Sequence, residues 1–337
     1  MFHDIIFPVT FGLALFLFGM KVMESALHTW AGPKLMQFLH TSTRTPWMGM
    51  LSSTMITAIL QSSTAVTVMT ISLVNAGLLS YARTLGIILG GNIGTCLTTE
   101  LIALNIAKLG APLLVLSLLL WAAAILGEEM LPPHVVRRLH LLRPLQFGAL
   151  AAAGFSLVMI AIRWMQSIGP ALESRGVIAW LLEHAAGSVL WGALAGAILT
   201  AIIHSSAAVV AMTMGLVASG ALPIELGIAM VIGSNVGTCI TALIASIGGS
   251  RSGQFVAWSH IVLNVLGAVL FLPAIPALEA SAAWLSTDLS AQIAHAQTIF
   301  NVVCSLLALP ICYLPVWSRL EQSETGPTTT PPPVNLH

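Results

Sequence analysis

Two stretches set consecutive hydrogen-bonding side chains in the middle of apolar sequence. Gln61, Ser62, Ser63 and Thr64 lie inside "TAILQSSTAVTVMTISLVNAG" (57–77), and His204, Ser205 and Ser206 lie inside "TAIIHSSAAVVAMTMGLVASG" (200–220). Downstream, "GGNIGTCLT" (90–98) and "GSNVGTCIT" (233–241) add Asn92, Thr95, Asn235 and Thr238. Hydroxyl and amide groups of these types donate to anion oxygens or offer oxygen to a cation. A helix that begins at such a point presents free N–H groups and a positive dipole end to an anion. Asn side chains and unwound carbonyls suit a hard cation such as sodium, by analogy with other hard cations. The substrate-binding candidates are therefore Gln61, Ser62, Ser63, Thr64, Asn92, His204, Ser205, Ser206 and Asn235. The sodium candidates are Ser63, Asn92, Thr95, Ser206, Asn235 and Thr238. No Lys or Arg lies within the four motifs, so a bound anion would need sodium to neutralise it.

The elements holding these residues must sit in lipid. The chain has 337 residues, 57% hydrophobic and 7% charged, against roughly 25% charged in soluble domains. So few charges cannot cover a water-facing surface, and the chain reads as an all-α polytopic membrane protein. Its formal net charge is zero, and no nucleic-acid-binding motif is present. Cys96, Cys239, Cys304 and Cys312 lie in apolar segments without metal-ligand spacing. The N-terminus has no basic leader and no small-residue cleavage site, so it reads as a retained membrane helix. The proline-rich tail, 318–337, reads as disordered.

A spanning helix needs about 20 apolar residues. Seven segments qualify: 5–23, 84–107, 111–126, 145–165, 222–247, 255–275 and 292–315. Segments 46–79 and 186–220 are too long for one span and too short for two. Each is split by its polar knot, which fits a re-entrant hairpin. Such a hairpin is tolerated at membrane depth only when buried in protein or lining a cavity. With the N-terminus outside and the C-terminus cytoplasmic, Lys21, Lys34, Arg44, Arg83, Arg137, Arg138, Arg143, Arg251 and Arg319 fall inside. Lys108, Arg163 and Arg175 fall outside, as the positive-inside rule asks.

Residues 57–98 align without gaps to 200–241, with 19 identities in 42 positions. Upstream, "KVMES" (21–25) faces "RWMQS" (163–167). The chain thus divides into a first unit, 1–144, and a second, 145–317, which includes a final helix. An odd number of crossings in the first unit inverts the second. Inverted repeats with broken helices at matched positions mark secondary transporters, whose sites lie near the midplane. The reading expects two breaks per half: the hairpin tip, and the glycine-rich G-x-N-x-G-T stretch, where glycine weakens the helix.

The paired Q-S-S-[ST] and G-x-N-[IV]-G-T motifs resemble those of the type II sodium–phosphate cotransporter family and its bacterial relatives. "HIVLNVLGAVLFLP" (260–273) and "QTIFNVVCSLLALP" (297–310) resemble further stretches of that family. The resemblance implies Na⁺-coupled symport of inorganic phosphate by alternating access in a bacterial inner membrane, with no organic cofactor and no enzymatic activity. It also implies, as candidate partners, a separate regulator of the PhoU type and a second copy of the chain in a homodimer. His204 stands where the family pattern has Gln, and Ala207 where it has a hydroxyl.

Competing readings are a transporter of another anion (a dicarboxylate or sulfate), a phosphate exporter, and an intramembrane serine hydrolase pairing Ser62 or Ser63 with His204. The last leaves the duplication unexplained, since only one copy has a histidine. Glu100 stands as a lone intramembrane carboxylate, with Leu243 at the matching place. His260 and Asn264, at i and i+4, suit helix–helix hydrogen bonding. Met20, Met23 and Met212 suit packing.

Overall fold

The structure, a computed structural model, describes residues 7–104, 109–130, 142–166 and 188–325. It is helical throughout this range. Helices α1 (Phe7–Ser42), α2 (Pro46–Leu60), α3 (Ser63–Asn75), α4 (Tyr81–Ala103) and α5 (Gly110–Met130) form the first half. Helices α6 (Leu142–Gln166), α7 (Val189–Ile203), α8 (Ser206–Ala218), α9 (Ile224–Ser246) and α10 (Arg251–Phe271) repeat that order. Then come α11 (Ile275–Leu285), α12 (Leu289–Ala308), a 3-10 turn (Leu309–Tyr313) and α13 (Val316–Thr325). Among the described residues seven helical segments are long and apolar enough to cross a membrane. The protein is an integral membrane protein.

The two split segments become pairs of short helices, α2–α3 and α7–α8. Thr45 caps α2 by accepting from the Met48 N–H at 3.3 Å, and Pro46 occupies the first turn, where its missing N–H is harmless. In each half the first short helix packs along the long helix that follows it, α2 on α4 and α7 on α9, while α1 packs along α6. The largest buried cluster joins α1, α6, α8, α9 and α12 through Phe16, Met159, Met214, Ile232 and Phe300.

Three expectations need correction. Helices α4 and α9 run unbroken through the glycine motifs. The glycines serve close approach instead. A β-carbon on Gly90 would fall on the Met50 carbonyl oxygen, and one on Gly233 on that of Ala193. One on Gly94 would lie 2.6 Å from the Thr54 oxygen, and one on Gly237 2.7 Å from Thr200 Cβ. Small residues let membrane helices pack backbone to backbone, and polar bonds reinforce the seam. Ser53 Oγ donates to the Ile87 carbonyl at 2.7 Å, and Thr54 Oγ1 to that of Gly90 at 3.2 Å. The helical ladder survives because the partner helix supplies more than the glycines forfeit.

The first helix is also longer than expected, 36 residues, so Lys34 belongs to α1 rather than to a loop, and Lys21 lies in mid-helix rather than near the end of the span. The tail assigned to disorder from 318 begins inside α13 (Val316–Thr325). Residues 326–337 lie outside the described residues, as do Lys108, Arg137, Arg138 and Arg175 from the charge count.

The seam predicts opposite signs for two kinds of glycine replacement. Gly94→Val must push against the Thr54 backbone and should destabilise by about 1–3 kcal/mol or more. Gly148, in mid-α6, has nothing within 4 Å of an added β-carbon, so Gly148→Ala should stabilise by about 0.5–1 kcal/mol. Thermal unfolding in detergent checks both. Equal midpoints for Gly94→Val and wild type would refute the close-packing role.

Candidate functional site

The site grows from two matched turns. Gln61 ends α2 with φ 55° and ψ 28°, and His204 ends α7 with φ 58° and ψ 26°. Among the described residues these are the non-glycine residues with positive φ. A left-handed residue that bears a β-carbon costs about 1–2 kcal/mol, and such strain persists where the surroundings over-determine it. The next residue restarts the chain as a helix cap. Ser62 Oγ accepts from the Ala65 N–H and Ser205 Oγ from the Ala208 N–H, each at 3.2 Å. The first N–H groups of α3 and α8, those of Ser63, Thr64, Ser206 and Ala207, have no partner within their helices.

Both turns open into one cavity of about 450 Å³. Gln61, Ser62, Ser63 and Thr64 line it from one side, and His204, Ser205, Ser206 and Ala207 from the other. Thr95 and Thr98 of α4 face it, as do Thr238 and Thr241 of α9. Leu17, Met20, Lys21 and Glu24 of α1 complete the lining. The cavity is thus walled by hydroxyls and two sets of helix N-termini, with one cation and one carboxylate from α1.

The hydrogen bonds fix which groups remain available. Gln61 Nε2 donates to the Ala58 carbonyl at 2.5 Å, and Gln61 Oε1 accepts from Thr98 Oγ1 at 2.9 Å. Ser62 Oγ donates to Glu24 Oε1 at 2.6 Å. Lys21 Nζ lies 3.4 Å from Glu24 Oε2, with the lysine side chain 76% exposed. Thr95 and Thr238 each donate to the carbonyl four residues back, Gly91 and Ser234, at 2.9 Å. Their oxygen lone pairs remain free. Among the described residues the exposed His204 imidazole makes no side-chain hydrogen bond.

Asn92 and Asn235 are placed elsewhere. Asn92 Nδ2 donates to Asn264 Oδ1 at 3.2 Å, and Asn92 Oδ1 lies 3.4 Å from His260 Nε2, so the three residues tie α4 to α10. Asn235 is buried and donates to the Val231 carbonyl at 3.0 Å. Neither lines the cavity, because an unbroken helix turns them toward its other neighbours. Glu100 is not alone. It accepts from Thr298 Oγ1 at 2.5 Å and pairs with His295 Nδ1 at 3.0 Å, both on α12. Met23 packs with Ala26 and Ala151 and Met212 against the main core, while Met20 reaches the cavity wall.

Reasoning from sequence missed Lys21, Glu24, Thr98 and Thr241. The two threonines close the repeated motif, and Lys21 and Glu24 stand in the "KVMES" segment that pairs with "RWMQS". Their place in the repeat was the available signal.

Comparison with known proteins identifies the family of the chain. The family model described as Na⁺/Pi-cotransporter matches residues 15–167 and 173–284, and the chain belongs to that family. It is 33% identical over 302 residues to "Uncharacterized protein YqeW" of Bacillus subtilis, covering 90% of this chain and 93% of that protein. It is 24% identical over 299 residues to "Putative inorganic phosphate export protein YjbB" of Escherichia coli, covering 88% of this chain. This chain spans about half of that relative, 52%. A stretch of 94 residues, 27% of this chain and 14% of the other, is 31% identical to "Sodium-dependent phosphate transport protein 2B" of Homo sapiens. No solved structure matches.

The turns predict a separation of stability from binding. His204→Gly relieves the left-handed strain and removes no hydrogen bond seen here, so it should unfold at or above the wild-type temperature. Gln61→Gly also loses its bonds to Thr98 and to the Ala58 carbonyl, each worth about 0.5–1.5 kcal/mol, and should be the less stable of the two. Thermal unfolding of both in detergent checks the order. A His204→Gly protein well below wild type would mean that the histidine is there for packing.

Proposed function

We propose that this member of the Na⁺/Pi-cotransporter family is a secondary transporter that carries inorganic phosphate, driven by sodium, through the cavity between the two serine tips. The observation that carries the reading is the convergence of two helix N-termini, α3 and α8, on one hydroxyl-lined space. Such termini bind phosphate through free N–H groups and their positive dipole ends. Near neutral pH inorganic phosphate carries roughly one to two negative charges. Lys21 supplies one positive charge, but Glu24 cancels it, so the lining is neutral and a bound anion needs a counter-charge. Sodium brought in with phosphate supplies it. Ser63, Thr95, Ser206 and Thr238, all in the lining, offer the oxygen ligands this requires. Gln61, Ser62, Thr64, His204 and Ser205 face the same space as phosphate donors or positioners.

The repeat gives the transport step a physical form. Each tip ends a short helix seamed to its own long helix, α2 to α4 and α7 to α9. Each tip with its seamed long helix can therefore move as a packed unit around the cavity. Two halves of inverted topology, N-terminus outside and C-terminus cytoplasmic, would exchange roles as the cavity opens to one side and then the other. Net direction then follows the gradients. Import and the export named for YjbB would use the same machinery under different driving forces.

Flux of radiolabelled phosphate into proteoliposomes tests the reading. Uptake should rise severalfold when an inward sodium gradient replaces choline, and sulfate or a dicarboxylate should not compete. Uptake indifferent to sodium would remove the coupling, and competition by sulfate would reassign the substrate.

His204 generates a further prediction. The exposed imidazole faces the cavity, and glutamine can donate to an anion from the same place, whereas leucine cannot. His204→Gln should therefore keep sodium-driven phosphate transport, and His204→Leu should weaken phosphate binding by about tenfold, the size of one lost hydrogen bond to a charged group. Equal phosphate affinity in His204→Leu and wild type would remove His204 from the anion site.

A further inference from the structure

The two tips share a backbone but not their surroundings. At the first tip the Ser62 hydroxyl hydrogen is committed to Glu24 Oε1, 2.6 Å away. At the second, Ser205 Oγ accepts from the Ala208 N–H, and among the described residues its hydrogen has no acceptor. The residue matching Glu24 in the second half is Gln166, which is neutral. The cavity therefore carries a carboxylate on one side only. This is an odd place for one. A carboxylate and a phosphate in a cavity of about 450 Å³ repel each other, and each disfavours the ionised form of the other. The Glu24 side chain is only 26% exposed, and its counter-charge is a lysine 3.4 Å away that is itself 76% exposed. A pair so open to water is weak. The carboxylate is thus poorly compensated beside an anion site.

We propose that Glu24 is a sodium ligand of the cavity, so that the cation sits against the α1 wall beside Ser62 while the anion sits between the two helix N-termini, toward Ser205 and His204. The assignment rests on the reading of this cavity as a phosphate site. Glu24 supplies a full negative charge, which none of the hydroxyl ligands has. Ser62 Oγ, already in contact with Glu24, offers a lone pair once its hydrogen turns away. Thr95, which faces the same cavity, has its hydrogen committed to the Gly91 carbonyl and so presents oxygen lone pairs there, as a cation ligand must. Sodium bound to Glu24 removes the repulsion that phosphate would meet. It also takes over the charge that Lys21 balances, leaving the lysine amine free to turn toward the anion. Coupling then needs no distant relay. It is the difference in phosphate affinity between a cavity with a bare carboxylate and one with a neutralised carboxylate.

Glu24→Gln keeps an oxygen that accepts from Ser62 and removes the charge. Glu24→Asp keeps the charge on a shorter arm. Binding of radiolabelled sodium to purified protein, without phosphate, should weaken by about tenfold or more in Glu24→Gln, a size usual for coupled sites. Glu24→Asp should retain sodium binding at a higher concentration. Phosphate binding in sodium relative to choline should be high in wild type and fall toward one in Glu24→Gln, with phosphate still bound. Sodium binding of equal strength in wild type and Glu24→Gln would overturn the assignment, as would no sodium binding in wild type. If sodium binds wild type and is lost in Glu24→Gln while phosphate binds neither, the Glu24 site stands and the phosphate reading falls.

Discussion

In lipid a backbone polar group has no water to turn to, so a helix can stop only where protein or a wet cavity receives its loose ends. The fold is organised around two such stops. Leu60 and Ile203 are the last residues of apolar helices, and Ser63 and Ser206 the first of the next. Between them stand Gln61 and His204, held left-handed, and Ser62 and Ser205, which cap the restarting helix. Neither stop would be tolerated facing lipid. They are tolerated because α1, α4 and α9 close around them and leave a polar space between the tips. The long helices, the glycine seams and the duplication all serve to hold two interrupted segments tip to tip.

The seams explain why the stops can be placed so closely. Short helices of 15 residues, α2 and α7, have little to hold them unless they dock firmly. Gly90 and Gly94 admit the α2 backbone onto α4, and Gly233 and Gly237 admit α7 onto α9. Ser53 and Thr54 add hydrogen bonds across the first seam. On the far side of α4, Asn92 bonds with α10, and Glu100 bonds with α12. The polar groups of α4 are thus divided between the cavity and the supports behind it.

The membrane class, the seven spans and both interrupted segments were legible in the sequence, since a run of three or four polar side chains in apolar sequence is too unfavourable to be incidental. The glycine motifs were misread for a physical reason. A helix break and a close helix contact both call for glycine, and only the position of the neighbouring backbone distinguishes them. Asn92 and Asn235 followed that error, since an intact helix turns them away from the tips. Lys21 and Glu24 were hidden differently. In the charge count Lys21 marks the inner end of a span that stops at 23, and only the 36-residue length of α1 puts it in mid-helix, beside the cavity. The asymmetry between Glu24 and Gln166 is written in the repeat, but its meaning appears only once Ser62 is seen to donate to the carboxylate.

The claim on which the account turns is that one anion binds between the two tips. Arsenate shares the charge and shape of phosphate and scatters X-rays anomalously. An anomalous difference map of crystals grown with sodium and arsenate locates it directly. The account predicts a single peak inside the cavity, within hydrogen-bonding distance of the Ser205 hydroxyl and the first N–H groups of α8. A map with no peak there, or with arsenate bound only outside the cavity, would contradict it.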